Sequence, residues 1–148
     1  MLTKEQKQEI ITLAKSLVGV PYIYGTTPEK APAEFDCSSF IQYLFRHVGL
    51  NLPRSTMLQA ADSQGTEVDF SGDISKLEPG DLLFMRGNQG YYNDNYFPNR
   101  ELLIGHVALY LGDGETVHAR ESVGHVALQP LSELVAIPKF NIVLIKRY

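Results

Sequence analysis

At 148 residues the chain is long enough for one domain that buries roughly 70% of its unfolded surface, and its single cysteine rules out an internal disulfide. Hydrophobic residues make up 44% and charged residues 20%, an ordinary globular balance. The net charge of −4 excludes the basic excess of a nucleic-acid surface, and no apolar run approaches the ~18 residues of a membrane span.

The N-terminus stays polar as far as Glu9, so no secretory leader is read there. The expectation is a cytoplasmic protein as written, or one exported by a signal-independent route or excised from a longer secreted chain. Thr3 with Gln6 forms a capping-box start. Ile10, Ile11, Ala14, Leu17 and Val18 then recur at helical spacing, and Gly19 with Pro21 ends the helix. A linker rich in Thr, Pro, Ala and Glu covers 26–34. A second helix starts at Asp36 and runs to about Val48, with Cys37, Phe40, Ile41, Leu44, Phe45 and Val48 inward and Gly49 as its stop. Thr56 with Gln59 suggests a capping box for a short third helix after Pro53.

The period then changes. Pro79-Gly80-Asp81 signals a turn before a strand at 82–85. Segments 106–111 and 115–119 flank Gly112-Asp113-Gly114, which reads as a three-residue hairpin loop. Segments 126–128 and 142–145 supply further strands, separated by Pro130 and Pro138. Helices followed by antiparallel strands predict an α+β fold in a single domain over 1–148, with about five to six strands.

Cys37 carries the chemical interest. Behind Asp36, a good N-cap, it occupies the first turn of the second helix, where free N–H groups and the helix dipole favour a thiolate. A nucleophilic cysteine also needs an imidazole within reach. If Leu111 faces Glu115, then Ala108 faces His118 and His106 faces Arg120. His106 and His118 then share a sheet face as diagonal neighbours, roughly 7–8 Å apart. Opposite a helix that begins with a cysteine, they suit nucleophile, base and orienter. Competing readings make the histidines ordinary packing residues, or make Cys37, His106 and His118 three zinc ligands with an open fourth position. No Cys or carboxylate pair at metal spacing accompanies them, so neither a metal nor a cofactor is expected. His47, near a helix C-terminus, and His125 read as structural.

With these residues in place the chain resembles the NlpC-type cell-wall peptidases, a papain-like family of bacterial peptidoglycan hydrolases. The likeness runs from about Ile10 to Leu131. Its segments are Gly19-Val20-Pro21-Tyr22-Ile23-Tyr24-Gly25, Phe35-Asp36-Cys37-Ser38-Ser39-Phe40 and Leu52-Pro53-Arg54-Ser55-Thr56 with Gln59. Pro79-Gly80-Asp81-Leu82, the segment 105–112 and Val117-His118-Ala119 complete it. The resemblance implies a papain-like arrangement, with N-terminal helices packed on a C-terminal antiparallel sheet. It implies that Cys37 attacks a peptide carbonyl, His106 moves the proton, His118 fixes the tautomer of His106, and Tyr22 supports the oxyanion beside the Cys37 amide. Asp36 and Ser38 match positions that hold the substrate's free amine in some members, although capping accounts for Asp36 equally well. Ser55 and Thr56 are candidates to line the cleft, with capping as the alternative. The implied partner is peptidoglycan or a muropeptide, cut between D-glutamate and a diamino acid. An amidase or acyltransferase on another amide or ester, and a non-catalytic binding module, stand as alternatives.

Four features depart from the family pattern. Thr26 stands where a second glycine is usual, with a long linker behind it, and Ser39 replaces a common glycine. No wall-binding or substrate-capping domain is read. Finally, 86–103 is longer than a strand connection needs and rich in Tyr, Asn and Gly, which suggests a loop that covers the cleft and selects substrate.

Overall fold

The computed structural model describes residues 1–148. Helix α1 spans Lys4–Ser16, α2 Cys37–Arg46, α3 Thr56–Ala61 and α4 Leu131–Ala136. Strands are β1 Thr66–Glu67, β2 Leu82–Met85, β3 His106–Gly112, β4 Glu115–Arg120, β5 His125–Pro130 and β6 Ile142–Arg147. They form one antiparallel sheet in the order β1-β6-β2-β3-β4-β5. The α+β reading and the strand count therefore hold. Two elements escape the sequence patterns. β1 has only two residues, both exposed. Helix α4 follows Pro130, which reads as a strand break and gives no side-chain cap.

Local chemistry sets the helix ends. Thr3 and Gln6 satisfy each other's backbone N–H groups at 3.1 and 2.9 Å, the capping box that starts α1. That helix stops at Ser16, two residues earlier than expected, so Val18 is exposed and does not join the buried face of Ile10, Ile11 and Ala14. In α2 the Asp36 carboxylate accepts from the Ser39 amide at 2.9 Å, and the Ser39 hydroxyl accepts from the Asp36 amide at 2.9 Å. Ser39, a departure from the family's glycine, thus closes a second capping box. The expected box at Thr56 and Gln59 does not form. Ser55 is the cap of α3, accepting from the Leu58 amide at 3.2 Å, which leaves the Thr56 side chain free to face elsewhere.

The sheet buries both faces. Leu82 and Phe84 of β2, Val107 and Leu109 of β3, and Val117 and Ala119 of β4 pack with Phe40, Ile41 and Leu44 of α2. The alternate residues Leu83, Met85, Ala108 and Tyr110 pack with Leu131 and Leu134 of α4 and with Phe140. By this alternation His106 and His118 belong to the Phe140 side, not to the face covered by α2 as the sequence suggests.

The β3–β4 hairpin keeps the expected register at Leu109↔Val117 and Tyr110↔Thr116, then shifts through a bulge so that Gly112 pairs with Glu115. The loop is therefore two residues, not three. Asp113 (φ 50°) and Gly114 (φ 75°) both adopt the left-handed conformation of a primed turn. Toward its other end the ladder stops at Leu109↔Val117, and the predicted pairs Ala108–His118 and His106–Arg120 are not registered. The strands part at the end that carries the histidines. Cys37, at the start of α2, and His106 both line the cleft at this opening.

Candidate active site

Cys37 is the first residue of α2 and is 8% exposed. As a helix N-terminal residue its backbone N–H has no intrahelical partner. The thiol lies 3.5 Å from the Thr56 hydroxyl, and the amides of Val107 and Ser38 also lie against it. Val107 has an amide to offer because β3 and β4 have parted there. Burial holds the thiol above its ordinary pKa, and the Asp36 charge adds to this, while Thr56 and the two amides oppose it. The helix terminus by itself favours a thiolate. In the folded chain burial outweighs it, so the resting nucleophile is a neutral thiol.

His106 and His118 form the centre of a buried hydrogen-bond chain. His106 Nε2 lies 2.7 Å from His118 Nδ1, and His118 Nε2 lies 2.9 Å from Gln129 Oε1. An amide oxygen only accepts, so His118 carries its proton on Nε2 and accepts at Nδ1. His106 must then donate from Nε2, which leaves the Nδ1 lone pair for the cleft. Gln129 is 8% exposed and was not recognised in the sequence. It belongs to β5, where Gln129 pairs with Thr116, and nothing short of the β4–β5 register brings it to His118.

Burial also fixes the charge of this chain. It pulls His118 down to about 4, with Arg120 adding and the Gln129 bond opposing. It pulls His106 well below the ordinary histidine value, reinforced by His118, Lys139 and Arg120. Both rings are therefore neutral near pH 7, the state in which one can take a thiol proton and the other can orient it. The Phe140 ring, 4.9 Å from His106 and 5.7 Å from His118, supplies the apolar wall. The zinc reading needs nitrogen lone pairs aimed at a common point, whereas His106 Nε2 and His118 Nδ1 are aimed at each other.

Cys37 and His106 line one cleft of about 310 Å³, together with Tyr22, Asp36, Ser38, Ser55 and Thr56. All the expected site residues except His118 touch it, and His118 stands behind His106. Tyr22 is fixed by a parallel bridge to Phe35, and burial raises its hydroxyl pKa, with Cys37 and Asp36 adding, so it remains a donor. Asp36 and Ser38 are already committed. Arg54 donates to Asp36 Oδ2 at 2.6 Å, to the Ser38 hydroxyl at 2.8 Å and to the Thr26 carbonyl at 2.5 Å. Arg54, present in the motif but assigned no role from sequence, thus ties the 26 region to α2. Thr26 also donates to Glu34 at 2.6 Å, giving this departure from glycine a structural use.

Only the first part of the long 86–103 connection reaches the cleft. Gly87, Asn88, Gln89 and Tyr91 line it, and the Tyr24 hydroxyl donates to Gln89 Oε1 at 2.8 Å. Gly87 adopts φ +66°, and a Cβ there would sit 2.9 Å from the Cβ of His106. Glycine lets the chain pass against the imidazole. Farther on, Phe97 is buried in the helical core and Arg100 pairs with Glu67 at 2.6 Å, so that part is anchored away from the cleft.

Residues 19–144 match the model of the NlpC/P60 family. The chain is 37% identical over 118 residues to the γ-DL-glutamyl hydrolase of Bacillus subtilis, covering 78% of this chain and 24% of that protein. It is 30% identical over 124 residues to the γ-D-glutamyl-L-lysine dipeptidyl-peptidase of Bacillus cereus, covering 84% of this chain and 32% of that protein. Thus the chain spans a third or less of these relatives' length. Among solved structures, the NlpC/p60 domain of the peptidoglycan hydrolase SagA superposes with a TM-score of 0.68 at 27% identity, over 96% of this chain and 98% of that one. The papain-like α+β architecture expected from the sequence is that of these domains, and the chain belongs to the NlpC/P60 family, whose similar members carry the names of hydrolases.

Proposed function

We propose that the chain is a cysteine endopeptidase that hydrolyses an amide bond in the stem peptide of peptidoglycan, between D-glutamate and a diamino acid. The observation that carries this reading is the buried run His106–His118–Gln129 ending in a free nitrogen at the cleft of Cys37. As substrate enters, the thiol proton passes to His106 Nδ1 and the sulfur attacks the carbonyl carbon. The Cys37 amide and the Tyr22 hydroxyl support the oxyanion of the tetrahedral intermediate. His106 then gives its proton to the departing amine, leaving a thioester on Cys37. Water, deprotonated by the same nitrogen, releases the acid and restores the thiol. Support for the bond comes from the D-glutamyl–lysine name of one relative and the glutamyl name of another.

Incubation with defined tri-, tetra- and pentapeptide stems, with products identified by mass, tests the assignment. A new amine on the diamino acid, and no product from Cys37→Ala, is the expected result. Cleavage at another bond refutes the stated specificity, and no cleavage of any stem refutes the peptidase reading.

A further inference from the structure

We propose that Arg120 and Lys139, set on the ring of Phe140, form a subsite for a carboxylate of the substrate on the leaving-group side of the cleft. This rests on the peptidase reading above. The Arg120 guanidinium lies 5.7 Å and the Lys139 ammonium 5.0 Å from the centroid of that one ring. Both residues line the cleft that holds Cys37 and His106.

Arg120 and Lys139 are the two cations that line the cleft, and neither is paired with a carboxylate there. Arg54, Arg100 and Arg147 each meet a carboxylate, Asp36 at 2.6 Å, Glu67 at 2.6 Å and Asp81 at 2.8 Å. Arg120 meets none, and its Nε is buried without a hydrogen-bond partner. Lys139 donates only to the amide oxygen of Asn88, at 2.7 Å. Glu121, the one carboxylate near them in the cleft, accepts from the other side of the same Asn88 at 3.4 Å and pairs with neither cation. In a chain with 17 acidic residues against 13 basic ones, partners were plentiful. A half-buried cation beside an apolar ring is poorly solvated, and an incoming anion repays that cost with charge-assisted hydrogen bonds.

Position assigns the side. Phe140 stands 4.9 Å from His106, the group that protonates the departing amine, so what surrounds it borders the leaving residue. A leaving diamino acid carries a carboxylate either at its own C-terminus or, if it is a dicarboxylic diamino acid, on its side chain. The groups facing the His106 imidazole are His118, Lys139, Arg120 and the Cys37 thiol. A carboxylate held by the two cations offsets their charge and makes His106 a better base once substrate is bound.

Three tripeptides test this: one ending in a free carboxylate, one in the carboxamide, and one in the carboxamide with a carboxylate on the diamino side chain. The wild type is expected to favour a carboxylate peptide over the fully amidated one by roughly ten- to a hundredfold in kcat/KM. The third peptide tells which carboxyl is read. In Arg120→Gln and in Lys139→Gln, the latter half-exposed and least able to disturb the fold, that ratio should fall toward one. A wild-type ratio near one, or variants that keep the ratio, overturns the subsite. If the wild type cuts none of the peptides, the peptidase reading fails, and calorimetric affinities decide the subsite. Tighter binding of a carboxylate peptide, lost in Lys139→Gln, keeps it, and equal binding of all three overturns it.

Discussion

Gln129 shows how much one side chain decides in a buried hydrogen-bond chain. Its amide oxygen sets the tautomer of His118, which sets that of His106, which in turn leaves Nδ1 for the thiol. Gln129→Leu removes the acceptor and frees both rings, and kcat should fall roughly ten- to a hundredfold. Gln129→Glu keeps an acceptor and adds a negative charge, so activity near pH 7 should survive while the acid limb of kcat/KM moves to higher pH. If both variants merely lower Tm and leave the pH profile in place, Gln129 is only a packing residue. The sequence offered no sign of it, because its role depends on a strand pairing that no periodicity specifies. Cys37, His106 and His118 were legible for the opposite reason: a cap, a helix start and an alternating hairpin are local patterns. The ionisation of Cys37 is not legible from that same locality, since burial, which raises its pKa, is a property of the fold.

At the scale of elements, the site depends on where a hairpin stops pairing. The β3–β4 ladder ends at Leu109↔Val117, and the opening beyond it admits Cys37 to the Val107 amide. Alternation along β3 and β4 puts the two histidines on a common face, but that face is the Phe140 side and not the α2 side expected for it, and no turn signal encodes the parting of the strands. The connection after β2 is held against this opening by Gly87. Gly87→Ala should cost about 1 kcal/mol or more for its positive φ. It should also push His106 off line, lowering kcat more than it raises KM; paired urea unfolding and steady-state kinetics check this. Unchanged kcat in a folded Gly87→Ala protein would show that the close approach has no catalytic consequence.

For the whole molecule, two buried neutral histidines tie stability to pH. Unfolding exposes His118 to water, so its pKa rises from about 4 toward the ordinary ~6.5. Between these values the unfolded chain binds the extra proton, and stability falls as pH drops, by up to about 1.4 kcal/mol per pH unit for this group. His106 is shifted in the same direction. Thermal unfolding at pH 7, 6, 5 and 4 should show a steadily falling Tm, with a flatter course in His118→Asn. An equally steep fall in that variant would place the acid sensitivity elsewhere. The overall architecture was legible because its helices are amphipathic and its strands apolar. The two-faced sheet was not, because α4 is short and sits behind a proline that reads as a break.

The proposed hydrolysis turns on a thioester at Cys37. Rapid acid quenching during turnover of a stem tripeptide, followed by peptide mapping, measures it directly. The expected result is a mass increase equal to the acyl portion up to D-glutamate, located on Cys37, and absent from Cys37→Ala, which should also lose turnover by on the order of 10⁴-fold or more. Turnover with no adduct on Cys37, together with an active Cys37→Ala protein, would contradict it.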